Sequence, residues 1–149
     1  MTRREAGLGG LAVAGLALVG ASPPAPKTWE VRMLNKGPDG AMAFAPGMLA
    51  IRPGDSVRFV ATDKGHNAET IAGMLPAGAA PFKGKINEEI VVKFTVPGVY
   101  GYKCLPHFAM GMVGLIRVGT PANLAAAVAQ AEKLPALARK RMLGFLAAA

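Results

Sequence analysis

Between Trp29 and Val118, apolar and polar residues alternate with a period of two, the spacing of half-buried β-strands. Trp29, Val31 and Met33 alternate with Glu30 and Arg32. Val57, Phe59 and Ala61 alternate with Ser56 and Arg58, and Ile90, Val92, Phe94 and Val96 with Glu89, Lys93 and Thr95. Tyr100, Tyr102 and Cys104 share another face, with Lys103 opposite. Met112, Gly114, Ile116 and Val118 form a last one, with Arg117 opposite. Gly37-Pro38-Asp39-Gly40, Pro53-Gly54-Asp55 and Pro97-Gly98 supply turns between them. Many short strands with regular turns predict a β-sandwich or barrel.

At Thr120 the period changes. Thr120 is expected to cap a helix and Pro121 to be its first residue. Asn123 to Lys133 is Ala-rich and helical in propensity, and Pro135 breaks it and starts a second helix. Leu134, Leu137, Ala138, Met142, Phe145 and Leu146 recur at spacings of three and four, an apolar stripe expected to pack on the sandwich. The adjacent Arg139, Lys140 and Arg141 would also suit a helix lying on a membrane. The shortness of the helices and their tight connection to the last strand favour packing.

The first residues read as a targeting segment. A basic Thr2-Arg3-Arg4 precedes an uncharged run from Ala6 to Val19, and Val19-Gly20-Ala21 fits a cleavage site. This run is shorter than the roughly 20 residues a membrane span needs, so stable membrane insertion is not expected. The expected organisation is a cleavable signal peptide (1–21), a Pro-rich mature tail (22–28), a β-domain (29–120) and a helical extension packed on it (121–149). Arg3-Arg4 is compatible with the twin-arginine route as well as the general one, and the choice stays open.

Composition sharpens this picture in two ways. The chain of 149 residues suits one domain, and its single Cys rules out an intramolecular disulfide. Its formal charge is +8, and losing Arg3, Arg4 and Glu5 takes it to +7. Such a chain is drawn to acidic partners. Nucleic acid is not expected as a target, since an exported protein seldom meets it and no basic helix with interleaved aromatics is present.

The candidate chemistry is concentrated in Lys103-Cys104-Leu105-Pro106-His107-Phe108-Ala109-Met110-Gly111-Met112, between two predicted strands. It holds the sole Cys and one of two His; the other, His66, follows the Ser56–Ala61 strand. Two imidazoles, one thiolate and a weak axial thioether make up the type 1 copper set, which holds both oxidation states in nearly one geometry. Met110 and Met112 both fall where the thioether is needed. Zinc is the chemical rival, but catalytic zinc keeps an open fourth position and needs a general base nearby. Only Asp63 and Glu69 are local carboxylates. An electron carrier is therefore expected rather than an enzyme or a copper chaperone.

Four segments resemble the pseudoazurins, blue copper proteins of the cupredoxin fold: Met33-Leu34-Asn35-Lys36-Gly37 with Gly40-Ala41-Met42; Asp63-Lys64-Gly65-His66-Asn67; Lys85-Ile86-Asn87-Glu88; and Lys103 through Met112. The resemblance implies an all-β fold, an eight-stranded Greek-key cupredoxin sandwich with two C-terminal α-helices. It implies copper held by His66, Cys104, His107 and Met112, which selects Met112 over Met110. Asn67 and Pro106 are implied as its immediate support. Leu105 departs from the family, where Thr is frequent.

The resemblance also implies a periplasmic monomer that receives electrons from a cytochrome and passes them to an acidic acceptor such as a nitrite reductase, in denitrification. His107 is expected at the solvent-facing edge, within an apolar docking patch that includes Phe108 and Met42. Lys36, Lys64 and Lys103, with Lys83 and Lys85, are expected to form a basic rim. Arg139 and Lys140 are expected far from it.

Overall fold

The computed structural model describes Gly15, Ser22 and residues 24–149. The expected signal peptide lies outside the described residues except for Gly15.

Eight strands follow: β1 (Thr28–Gly37), β2 (Gly40–Ala45), β3 (Met48–Ile51), β4 (Ser56–Val60), β5 (Glu69–Thr70), β6 (Ile90–Lys93), β7 (Gly98–Lys103) and β8 (Val113–Val118). They form two four-stranded sheets, ordered β2-β1-β4-β6 and β3-β8-β7-β5. β1 runs parallel to β4, with Trp29 opposite Val57 and Val31 opposite Phe59. β3 runs parallel to β8, while β7 and β8 form an antiparallel pair from Gly98↔Val118 to Lys103↔Val113.

The inward residues of the alternating runs meet between the sheets. Val31, Met33, Val57, Phe59, Phe94, Tyr100, Tyr102, Ile116 and Val118 are all buried there. Tyr102 is the centre of an aromatic cluster, edge-on to Phe44 and Phe59 at centroid distances of 4.7 and 5.0 Å. Gly114, its cross-strand partner, must be glycine, since a Cβ there would stand 2.2 Å from the Tyr102 ring.

The last two strands are buried on both faces. Val99, Val113 and Leu115 point away from the sandwich into a second core formed with α1 (Leu124–Ala131) and α2 (Ala136–Ala147). Leu134, Ala138, Met142 and Leu146 supply the helical side, so the predicted stripe packs on the sheet. Leu137 of that stripe is exposed and Phe145 half-buried. The predicted helix start at Thr120-Pro121 is displaced. The cap residue is Asn123, whose side chain neglects the helix, accepting from the Val99 N–H and donating to the Val99 carbonyl. Pro135 stands at the start of α2 as expected. Among the described residues, no helix is long and apolar enough to cross a membrane.

One end of the sandwich is closed by Asp55, 5% exposed. Its carboxylate accepts from the Lys27 N–H (2.9 Å), the Trp29 indole N–H (3.0 Å) and the Arg52 N–H (3.2 Å). The Lys27 amide first, then the Trp29 indole, hold it below the usual carboxylate range. The opposite end carries the loops after β4 and β7.

Candidate metal centre

His66 lies in the loop after β4, and Cys104 directly follows β7. His107 precedes a 3-10 turn, Phe108–Met110, and Met112 lies just before β8. Antiparallel pairing of β7 with β8 brings both ends of the ligand loop together: the Cys104 N–H donates to the Met112 carbonyl at 3.0 Å. The Met112 N–H donates to the His107 carbonyl at 3.1 Å, folding the loop back on itself.

His66 Nδ1, His107 Nδ1 and Cys104 Sγ converge within 4.8 Å of one another. The two Nδ1 atoms are 3.1 Å apart, and the sulfur is 3.5 Å from His107 Nδ1 and 3.8 Å from His66 Nδ1. Bonds of about 2.0 Å to imidazole and 2.3 Å to thiolate, as zinc makes, would put trigonal donors roughly 3.5–3.8 Å apart. The residues therefore fit a single transition-metal ion in their midst. The soft thiolate among imidazoles suits copper. Met112 is fully buried in the same core cluster as Cys104, whereas Met110 is 46% exposed. Burial thus agrees with Met112 as the thioether. His66 is fully buried and His107 only half-buried, so His107 is the ligand at the solvent edge.

The surroundings fix these donors. The Asn35 side-chain oxygen lies 2.8 Å from His66 Nε2. Protonating Nε2 to meet that oxygen leaves Nδ1 with its lone pair facing the centre. Asn35 is itself tied down, its N–H donating to Asp63 at 2.7 Å. Asn87, at φ 65°, accepts from the Gly65 N–H and donates its own N–H to the His66 carbonyl. Asn67, 2% exposed, accepts from the Leu105 N–H at 2.7 Å and donates to Gly84 and Glu69. The bond to Leu105 ties down the loop immediately after Cys104. Leu105 enters this bond through its backbone, so a Leu in place of the frequent Thr leaves it intact. Pro106 is exposed and forms part of the surface beside His107.

Burial pushes the Cys104 thiol up, against the pull of the Asn67 and His107 amides. Burial, reinforced by His107, pushes the His66 imidazole down, while Asp63 opposes. Both of these donors are thus biased to neutrality in the bare protein, which suits a site completed by a cation.

The sequence pattern singled out His66, Cys104 and His107 and left Met110 and Met112 as rivals; the family resemblance selected Met112 and pointed to Asn67. Asn35 and Asn87 stood within its motifs without a role. Their signal was an Asn beside each His66-contacting loop, which spacing alone cannot distinguish from a turn residue. Lys36, Lys64, Lys83 and Lys85 are exposed, and Lys103 is half-buried with its ammonium 4.7 Å above the Phe108 ring. The expectation for Lys140 needs correction. It lines a groove with Leu137 and Arg141, and Leu137 lies against Gly111 of the ligand loop. The start of α2 therefore sits beside the metal centre, because the last strand connects straight into the helices.

Residues 31–119 match the copper binding proteins of the plastocyanin/azurin family. The chain is 52% identical over 139 residues to a pseudoazurin of Paracoccus pantotrophus, covering 92% of this chain and 94% of that one. It is 54% identical over 119 residues to a putative pseudoazurin of Rhizobium leguminosarum bv. viciae, covering 79% and 77%. The crystal structure of the pseudoazurin from Methylobacterium extorquens AM1 superposes with a TM-score of 0.77 at 48% identity, covering 81% of this chain and 98% of that one.

Proposed function

The chain belongs to the plastocyanin/azurin family of copper proteins and, within it, to the pseudoazurins; from this premise we propose that it is a periplasmic, monomeric electron carrier serving an acidic-faced redox enzyme. The single observation that carries the reading is the convergence of His66, Cys104 and His107 donors beside the buried Met112. When bound there, copper supplies a one-electron couple between Cu(I) and Cu(II). His66, Cys104 and His107 would hold it, and the buried Met112 would offer a weak fourth donor. Asn35, Asn67 and Asn87 hold the ligand loops in place, so the donors need move little as the charge of the site changes.

His107 is the exit for the electron, since the other donors are buried. Leu105 and Met110, exposed by 52% and 46%, flank it, with Pro106 and Phe108. This apolar surface lets a partner approach closely without trapped water. Exposed Lys36, Lys64 and Lys85 belong to the segments that carry Asn35, His66 and Asn87. They form a basic rim suited to an acidic acceptor such as a nitrite reductase, and a cytochrome is the matching donor class. The basic start and uncharged run of residues 1–21 support export, with a Pro-rich mature tail at 22–28.

A visible spectrum tests the copper reading. Cu(II) added to the mature chain should give an intense thiolate charge-transfer band, and Cys104→Ala should remove it. A colourless mixture in which Cys104 still reacts with thiol reagents would sink the reading.

A further inference from the structure

Arg141 projects from α2 and donates to three backbone carbonyls. Nη1 reaches Met42 at 2.7 Å and Gly111 at 2.9 Å, and Nη2 reaches Ala41 at 2.7 Å. The acceptors lie on two separate segments, β2 and the ligand loop. Each is a place where the backbone needs holding. The Gly111 carbonyl belongs to the peptide bond leading into Met112, and Gly111 closes the 3-10 turn at φ 90°. Met42 is a non-glycine residue at φ 52°, a conformation costing on the order of 1 kcal/mol or more. Its side chain packs against the core cluster that contains Cys104 and Met112.

The helix is close enough to act. A Cβ on Gly111 would stand 3.1 Å from the Leu137 Cβ, so α2 rests directly on the loop. A guanidinium is well matched to three carbonyls on two segments. Its planar fork fixes several donors at once, and its charge strengthens each bond. A lysine ammonium is a point charge on a flexible stem and cannot reproduce the fork.

We propose that Arg141 is a positioning residue for the metal centre, joining the C-terminal helix to the peptide unit before Met112 and to the strained backbone at Met42. The inference rests on the copper reading for its spectroscopic arm alone. Arg141 touches no metal donor. It acts by denying the Gly111–Met112 peptide the freedom to rotate, so that the buried Met112 side chain keeps one placement. The C-terminal helices then have a role beyond covering β7 and β8.

The test uses the full mature chain with Arg141→Gln, Arg141→Lys and, as control, Arg139→Gln at an exposed position of the same helix. Arg141→Gln should raise hydrogen exchange at the Gly111 and Met112 amides of the apoprotein about tenfold. In the copper-loaded protein it should change the intensity ratio of the charge-transfer bands. It should also weaken Cu(II) binding about tenfold, the low end for residues that support ligands. Arg141→Lys should fall between, and Arg139→Gln should match the parent. A variant that melts earlier but keeps the parent's bands and exchange would reduce Arg141 to a staple and overturn the proposal. Should Arg141→Gln not fold, Arg141→Lys decides alone, and bands and exchange equal to the parent's would overturn it. Should the parent itself stay colourless with copper, the copper reading fails, while the exchange comparison on apoprotein still decides whether the clamp exists.

Discussion

Asp55 anchors one end of the sandwich and Asn67, beside the buried ligand His66, anchors the other, and the two anchors differ in kind. Asp55 is an acceptor that gathers three N–H groups from Lys27, Trp29 and Arg52. Asn67 both accepts and donates, taking the Leu105 N–H while giving its own to Gly84 and Glu69. An anion serves where only donors converge, and its charge strengthens every bond. Beside a site built to bind a cation through a thiolate, an extra negative charge would compete, and a neutral amide can satisfy both kinds of partner. The difference teaches that the far end is built for stability alone, and the metal end for orientation.

Putting a carboxylate at the metal end should break the comparison most severely. Asn67→Asp leaves a buried anion facing the Gly84 carbonyl and Glu69. A loss of about 3 kcal/mol in apoprotein stability is expected, the cost of an uncompensated buried charge, together with an altered copper spectrum. Denaturant unfolding and visible absorption check both; unchanged colour would mean that Asn67 does not orient the Cys104 loop.

The reciprocal change should be milder and silent at the metal. Asp55→Asn turns one acceptor into a donor opposite N–H groups and should cost about 2 kcal/mol. The charge-transfer spectrum should match the parent's. A spectral change would show that the two ends are coupled rather than independent.

Acid sharpens the same contrast. The folded pKa of Asp55 lies below the ordinary value of 3.8. Its contribution is therefore complete above the unfolded pKa and is lost as the pH falls through the lower, folded one. The melting temperature of the apoprotein should drop between roughly pH 4 and the folded pKa, and Asp55→Asn should flatten that limb. An equally steep drop in the variant would assign it to other carboxylates.

The smallest effects concern charge at the two surfaces. Charge reversal at Lys36 or Lys64 should slow electron transfer to an acidic acceptor, and the parent's rate should fall about tenfold from low to high salt. Reversal at Arg52 or Arg117, which line the groove beside Asp55 at the far end, should matter less. Stopped-flow rates for the four variants decide this. Equal sensitivity at both ends would leave only the net charge as the cause.

The alternating runs made β1, β4, β7 and β8 legible, because one face of each meets the intersheet core. β2 and β3 were not, since Gly40 to Ala45 and Met48 to Ile51 lack polar residues at alternate positions. β8 looked half-buried from Arg117 alone, yet Val113 and Leu115 face the helices, and only the tertiary fold reveals that second cover. In the site, Cys104 and His107 were legible because they share one short loop, whereas Met112 shared it with Met110 and was separated from it only by the family resemblance. Asn35 and Arg141 were not, because each acts on a segment distant in sequence through a bond that no local pattern marks.

The ligand loop runs from Cys104 to Met112 and bridges two adjacent antiparallel strands whose pairing ends at Lys103↔Val113. Because the strand ladder is complete at Lys103↔Val113, with the Cys104 N–H to Met112 carbonyl bond closing the loop's neck, the sheet itself puts little constraint on the residues between. The loop is in this sense a replaceable cassette. Three of the four donors can be respaced together, by inserting or deleting residues between Cys104 and Met112, while the fourth, His66, stays fixed on the other sheet's loop. Respacing the loop would then leave the two sheets as they are and fall on its outside anchors, Asn67 at Leu105 and Arg141 at Gly111.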